Sequence, residues 1–142
     1  MKILAIDDQQ LVLLPLEKRL TALGYEVKTE CNAETGIETY KSFQPDLVIV
    51  DINMPEVSGI DVVKFIRVKE KSTTPIMVLS GNTDDAIITE GFELGINDYM
   101  KKPLSLNEIS ARVKRLIGAP ETNNLVENND NIIIAVFIRI TD

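Results

Sequence analysis

Histidine is absent from the 142-residue sequence. Without an imidazole, the chain cannot supply a Ser-His-Asp or Cys-His catalytic arrangement, nor any zinc site that uses histidine as a ligand. Acid, base or metal-binding chemistry must therefore come from carboxylates, lysine or hydroxyl groups.

Cysteine and long apolar segments are also scarce. Cys31 is the single cysteine, so no disulfide can form within the chain, which is typical of a reducing compartment. No apolar run approaches the roughly 18 residues that a membrane span needs. The first residues begin a strand-like segment and lack a secretory signal pattern. We therefore expect a cytoplasmic protein that does not contact a membrane.

Positive charge is in short supply, because 22 acidic residues outnumber 15 basic ones and the net charge is −7. Nucleic-acid binding requires a positive surface, so direct binding by this chain is not expected. A bound cation or a basic partner fits the charge better. The hydrophobic fraction of 44% and the length are typical of one globular domain with perhaps a short appendage.

Short apolar runs alternate with segments of helical periodicity along most of the chain. The predicted strands are Lys2–Ile6, Tyr25–Thr29, Leu47–Val50, Pro75–Leu79 and Asp98–Met100. The predicted helices run from about Leu11 to Leu23, from the cap residue Asn32 to Phe43, from Gly59 to Lys69, from Asp84 to Leu94, and from the cap residue Ser105 to Ile117. This alternation predicts an α/β fold with a doubly wound parallel sheet and helices on both faces.

Two local signals refine these predictions. Glu108 stands three residues after Ser105, the spacing of a capping box. Pro15 is the discordant residue of the first helix, since proline suits a first turn best and could bend the helix.

Polar side chains follow the apolar strands at the points where these end. Asp7 and Asp8 follow the first strand, Asp51 ends the third, Ser80 follows the fourth and Lys102 the fifth. In an open parallel sheet, ligands bind outside the carboxyl ends of the strands. Clustered carboxylates repel each other, and a divalent cation such as Mg²⁺ relieves that repulsion. Lysine and a hydroxyl beside them suit a phosphoryl group, and aspartate is a known phosphoryl-accepting nucleophile.

Four motifs in order carry a family resemblance: IDD at Ile6–Asp8, DINMPEVSG at Asp51–Gly59, LSG at Leu79–Gly81, and KP at Lys102–Pro103. From Met1 to about Gly118, the chain resembles the receiver domain of bacterial two-component response regulators, of the chemotaxis-receiver type. The resemblance implies a flavodoxin-like five-stranded sheet in the order 2-1-3-4-5 and a cis Lys102–Pro103 bond.

The resemblance also implies site roles. Asp51 would be the phosphoacceptor, and Ser80 and Lys102 would contact the phosphoryl group. Tyr99 would act with Ser80 as a conformational switch. The Mg²⁺ ligands would be Asp7, Asp8, Asp51 and the main-chain carbonyl of Asn53. Gly81 replaces a more usual alanine.

By the same resemblance, the phosphoryl donor would be a phosphohistidine on a sensor histidine kinase or phosphotransfer protein. Catalysis would be limited to self-phosphorylation and slow self-dephosphorylation, with Asn53 and Asn82 bordering the path of water. The signal would pass to an output domain or effector through the face of the fourth helix, fifth strand and fifth helix. This face, or the C-terminal tail, could also form a homodimer.

Each site residue has a simpler reading when it is taken alone. Asp7 and Asp8 could cap a helix, Asp51 could cap a turn, Lys102 could be a solvated lysine, and Tyr99 could serve packing only. Lys101 and Thr83 are expected to have no site role. Two other functions stay open: a Mg²⁺-dependent phosphohydrolase with an aspartate nucleophile, in which Asn53 stands where a second acid is wanted, and a phosphorylation-independent interaction module.

The C-terminal residues lie beyond the regular alternation. We expect a receiver domain over residues 1–118, a polar linker over 119–131 and a β-prone tail over 132–142. Ile132–Ile140 is strongly apolar and would be prone to aggregate if it were exposed. It is predicted to form an extra strand at the sheet edge, a strand paired with another subunit, or the start of an output domain.

Overall fold

The computed structural model describes residues 1–81 and 85–120. Strands and helices alternate throughout these residues, as the apolar pattern predicts. The strands are β1 (Lys2–Ile6), β2 (Glu26–Glu30), β3 (Leu47–Asp51), β4 (Ile76–Ser80) and β5 (Asp98–Lys101). The helices are α1 (Gln10–Ala22), α2 (Ala33–Phe43), α3 (Gly59–Lys64), α4 (Asp85–Leu94) and α5 (Leu106–Ile117).

The strands form one parallel sheet in the order β2-β1-β3-β4-β5, which confirms the order implied by the resemblance. Every residue of β3 and β4 is buried, because helices cover both faces of the sheet. One apolar cluster lies between the sheet and α2, α3 and α4, and the other lies between the sheet and α1 and α5. The carboxyl ends of the strands are therefore held in place by packing on both faces of the sheet.

The third helix differs from its prediction. One helix was expected over Gly59–Lys69, but α3 ends at Lys64 and a π-helical turn follows over Phe65–Lys69. The guanidinium of Arg67 in this turn donates to the main-chain oxygens of Ser72 and Gly95. The spacing of apolar residues carries no information about such contacts, so it could not predict the wider turn.

Helix caps agree with the sequence in part. Asn32 and Ser105 accept hydrogen bonds from Thr35 N–H and Glu108 N–H, as predicted. The Ser105 half of the predicted capping box is thus confirmed, while the Glu108 carboxylate contacts Arg112 Nη2 at 2.7 Å. A reciprocal capping box forms instead at Ser58.

Pro15 lies inside α1, not in its first turn. The helix continues through this position because Leu13, Leu16 and Leu20 on either side of it are buried against the sheet. Burial of these side chains outweighs the missing main-chain donor of proline.

Several expectations concern residues outside the described ranges. Asn82, Thr83 and the β-prone tail over 132–142 belong to this group. Among the helices that the structure does describe, none combines the length and apolar character that crossing a bilayer requires.

Gly59 allows the first turn of α3 to pack directly on the end of β3. A Cβ atom at this position would lie under 3.0 Å from the main-chain oxygen of Asp51 and from Ile52 Cα, closer than real Cβ atoms approach. We expect Gly59→Ala to lower the free energy of unfolding by about 1–3 kcal/mol, because these backbone atoms cannot move aside cheaply.

Gly81→Ala provides a matched control, since a Cβ at position 81 would meet no atom of the described residues within 4 Å. Urea denaturation should find its stability within about 0.5 kcal/mol of the wild-type value. Equal stabilities for the two variants would contradict the close packing of Gly59.

Candidate functional site

Three carboxylates come together at the carboxyl-end edge of the sheet. Ile6 and Val50 are paired in register, so Asp7, directly after β1, and Asp51, the last residue of β3, lie at the same level. One carboxylate oxygen from each of Asp7, Asp8 and Asp51 lies within 4.8 Å of the others. Asp7 and Asp51 are 1% and 2% exposed, whereas Asp8 is exposed to solvent. The cluster is thus open on one side only.

Lys102 brings a positive charge into this cluster from the end of β5. Its Nζ lies 2.8 Å from Asp7 Oδ2 and 3.3 Å from Asp51 Oδ2. Burial opposes the charged ammonium, but the contacts with Asp7 and Asp51 outweigh burial and raise the pKa of Lys102. The lysine therefore remains positively charged at neutral pH.

The Asp7 carboxylate is buried, and its surroundings change its pKa. Burial raises its pKa above the usual value, and the negative charge of Asp51 adds to this effect. The contact with Lys102 and the Gln9 N–H bond to Asp7 Oδ1 act in the opposite direction without cancelling it. Within the described part of the chain, Asp7 Oδ2 is buried and has no aligned hydrogen-bond donor, so its contact with Lys102 is an ion pair.

Asn53 joins the ends of β3 and β4. Its main-chain N–H donates to Asp51 Oδ1 over 3.0 Å. Its side-chain oxygen accepts from the Ser80 hydroxyl over 3.0 Å and from Gly81 N–H over 2.9 Å. Ser80 is fully buried, so its hydroxyl is fixed at the edge of the site.

Tyr99 is the second residue of β5, two positions before the strand's carboxyl end, and is paired with Val78 in β4. It is half-buried and packs against the apolar cluster that contains α3 and α4 residues. Lys101 is exposed, as predicted for a residue without a site role. The structure thus brings together the residues predicted at the strand ends. Tyr99 lies apart from them, on the face of the sheet that α2, α3 and α4 cover.

Two contacts of the site were not predicted. The Gln9 side-chain oxygen accepts from Lys102 Nζ over 2.9 Å, and Asn53 takes part through its side chain as well as its backbone. The position of Gln9 directly after Asp7 and Asp8 was the only available signal in the sequence. It was insufficient, because residues just after a strand point in different directions.

The donor set suits a small, hard cation. Mg²⁺ prefers a few carboxylate or carbonyl oxygens and retains several waters. The three clustered carboxylates provide such oxygens, and the exposure of Asp8 leaves room for water on the open side. A lysine and a hydroxyl border the same space and can contact an anion.

A comparison with protein families agrees with this geometry. Residues 3–114 match the family described as the response regulator receiver domain. The chain belongs to this family. The alternation of strands and helices and the polar strand ends are therefore those of a receiver domain of two-component response regulators.

Curated relatives of this receiver domain include transcriptional regulators. The chain is 35% identical over 120 residues to the alkaline phosphatase synthesis transcriptional regulatory protein PhoP of Bacillus subtilis, covering 84% of this chain and 50% of PhoP. It is 36% identical over 117 residues to the cell cycle transcriptional regulator CtrA of Caulobacter vibrioides, covering 82% of this chain and 50% of CtrA. The chain therefore spans about half the length of these relatives.

Solved structures agree on the fold. A putative response regulator from Chloroflexus aurantiacus has 32% identity and a TM-score of 0.75, covering 82% of this chain and 96% of that one. The chemotaxis protein CheY4 of Vibrio cholerae has 28% identity and a TM-score of 0.75, covering 81% of this chain and 97% of CheY4.

The raised pKa of Asp7 predicts a stability change in this receiver domain. Since the folded-state pKa lies above the usual value, the neutral carboxyl is favoured by folding, and this stability is lost as pH rises through the folded-state pKa. Because pH 7 lies above the usual pKa of an aspartate, the burial of Asp7 weakens the fold at this pH. We expect Asp7→Asn to shift the urea midpoint upward at pH 7 in a buffer with a chelator, and the gain to shrink at low pH.

Asp8→Asn is the control, because it removes an exposed carboxylate of the same cluster and should change stability by less than about 0.5 kcal/mol. A lower midpoint for Asp7→Asn would show that the ion pair with Lys102 outweighs the burial of Asp7.

Proposed function

We propose that Asp51 accepts a phosphoryl group from a phosphohistidine partner and that the domain changes conformation in response. The contact of Asp51 Oδ2 with Lys102 Nζ is the observation that carries this proposal. It sets a nucleophilic oxygen beside a positive charge that can neutralise an incoming phosphoryl group. Asp7 and Asp8 lie close enough to complete a cation site.

In the proposed step, a carboxylate oxygen of Asp51 attacks the phosphorus of the donor. The new oxygen–phosphorus bond forms as the nitrogen–phosphorus bond of phosphohistidine breaks, and the imidazole nitrogen retains the electron pair. In the later hydrolysis, a water oxygen attacks the phosphorus and Asp51 leaves as a carboxylate. Lys102 and the Ser80 hydroxyl contact the phosphoryl oxygens.

The residues proposed to hold Mg²⁺ are Asp7, Asp8, Asp51 and the main-chain carbonyl of Asn53. When bound, the ion neutralises negative charge on the phosphoryl oxygens. The bound cation would also offset the repulsion among the clustered carboxylates. We place this chemistry in the cytoplasm, where the proposed kinase would act.

The phosphohistidine partner is proposed to dock beside the site, on a groove of about 610 Å³ between α1 and the segment after β5. Leu11, Val12 and Leu104 line the groove together with Gly81 and Lys102 of the site. Leu11 is 89% exposed and adjoins Val12 and Leu104, so the groove offers a partner a continuous apolar wall beside the site. A helical partner at this position could bring its phosphohistidine to Asp51.

The signal is proposed to leave through the face formed by α4, β5 and α5, with Ser80 and Tyr99 as the switch. Asp98 of β5 pairs with Arg112 and Arg115 of α5, so this face is rich in charge and suited to an effector or a second copy of the chain. Residues 1–118 would be the receiver, followed by a linker over 119–131 and a β-prone tail over 132–142. The output of the whole protein would be transcriptional control, as the names of its relatives suggest.

Incubation with acetyl phosphate and Mg²⁺ tests the proposal against its two rivals. We expect stable labelling of about one phosphoryl group per chain in the wild type, because acetate leaves as Asp51 accepts the group. Asp51→Asn should abolish this labelling, and a chelator should reduce it strongly. Phosphoprotein electrophoresis or intact-mass spectrometry measures the result.

The other outcomes separate the alternatives. Rapid turnover of many phosphomonoesters without a stable adduct would favour a phosphohydrolase. Unlabelled wild-type protein would favour a phosphorylation-independent interaction module. Labelling that persists in Asp51→Asn would refute the assignment of Asp51.

A further inference from the structure

The carboxamide of Asn53 holds the donors that a phosphoryl group on Asp51 would need. Its oxygen accepts from Ser80 Oγ over 3.0 Å and from Gly81 N over 2.9 Å. A main-chain N–H can only donate, so the atom of Asn53 that faces Gly81 must be the oxygen. Two donors from the end of β4 thus converge on a single oxygen.

This arrangement matches what one phosphoryl oxygen requires. An anionic oxygen is best held by a hydroxyl and a main-chain N–H directed at the same point. The Ser80 hydroxyl has one hydrogen to donate and cannot serve Asn53 and a phosphoryl oxygen fully at once. Phosphorylation of Asp51 and the resting contact of Asn53 are therefore in competition.

We propose that the Asn53 side chain is a resting-state substitute for a phosphoryl oxygen, which phosphorylation of Asp51 displaces. This inference rests on the proposed function and adds a regulatory role for a residue next to the phosphoacceptor. Asn53 is exposed, so its released carboxamide can turn into water without being buried unpaired.

The resting contact has two consequences for the switch. It keeps the buried Ser80 hydroxyl directed at the site before any phosphoryl group arrives. It also reduces the net gain when the phosphoryl group binds, because two existing hydrogen bonds must break first. Asn53 is a positioning residue in this scheme, since it acts through Ser80 and Gly81.

Nuclear magnetic resonance of the full chain can test the resting contact of Asn53 and its displacement by a phosphoryl analogue. The observed signal is the amide resonance of Gly81. The protein is titrated with beryllofluoride, a stable analogue of the phosphoryl group, in the presence of Mg²⁺. Asn53→Ala removes the acceptor, and Asn53→Asp retains an oxygen at the same place. Asn107→Ala is the control, because Asn107 is exposed on α5 and accepts from Arg19.

In the free protein, we expect the Gly81 amide proton to move upfield in Asn53→Ala and to keep its wild-type position in Asn107→Ala. In Asn53→Asp it should not move upfield, because a carboxylate oxygen is a stronger acceptor than the carboxamide oxygen it replaces. With beryllofluoride bound, the wild type and Asn53→Ala should converge, because the analogue then accepts from Gly81 in both. Asn53→Ala should bind the analogue about fivefold to tenfold more tightly, the effect of about one net hydrogen bond. Asn107→Ala should bind it as the wild type does.

An unmoved Gly81 resonance in free Asn53→Ala would overturn the inference, as would equal or weaker binding of the analogue by this variant. In either case, binding by the wild type would leave the proposed function intact. If the wild type itself did not bind beryllofluoride, the proposed function would fail, and displacement of Asn53 would fail with it.

Discussion

The Lys102 ammonium lies against two buried carboxylates, and the chemistry of the sheet edge depends on this contact. Asp7 and Asp51 stand at the same level at the ends of neighbouring strands, so the parallel register brings two like charges together. Lys102 offsets part of that charge, and burial in turn keeps its interaction with the carboxylates strong. The cluster still has more negative than positive charge, so a bound cation would reduce the remaining repulsion between the carboxylates.

The same edge connects the site to the rest of the sheet. Asn53 links the end of β3 to the end of β4 through its backbone and its side chain. Lys102 N–H donates to the main-chain oxygen of Ser80 over 2.8 Å, so the end of β4 is also tied to the segment after β5. In the proposed switch, a displacement at Ser80 would therefore be felt at the end of the strand that carries Tyr99. This short path would pass the state of Asp51 to the α4, β5 and α5 face in that switch.

Much of the fold follows from local patterns, because apolar runs and helix caps are encoded by neighbouring residues. The placement of Asp51 and Ser80 at strand ends could be predicted, since the carboxyl ends of parallel strands share one edge. The π-helical turn at Phe65–Lys69 could not be predicted, because apolar spacing does not distinguish it from an α-helical turn. The side-chain contact of Asn53 could not be predicted either, because its partner Ser80 lies far along the chain. The strand order came from resemblance and not from residue patterns. Assignment of roles to the site residues remains a prediction that chemistry must test.

Chemical mapping of the phosphorylated residue tests the central claim most directly. After phosphorylation by acetyl phosphate with Mg²⁺, borohydride reduces an aspartyl-phosphate to homoserine, which peptide mass spectrometry can locate. The account predicts homoserine at position 51, in amounts that match the bound phosphoryl group. Homoserine at Asp7 or Asp8, or a phosphoryl group on a hydroxyl side chain that borohydride leaves unchanged, would contradict it.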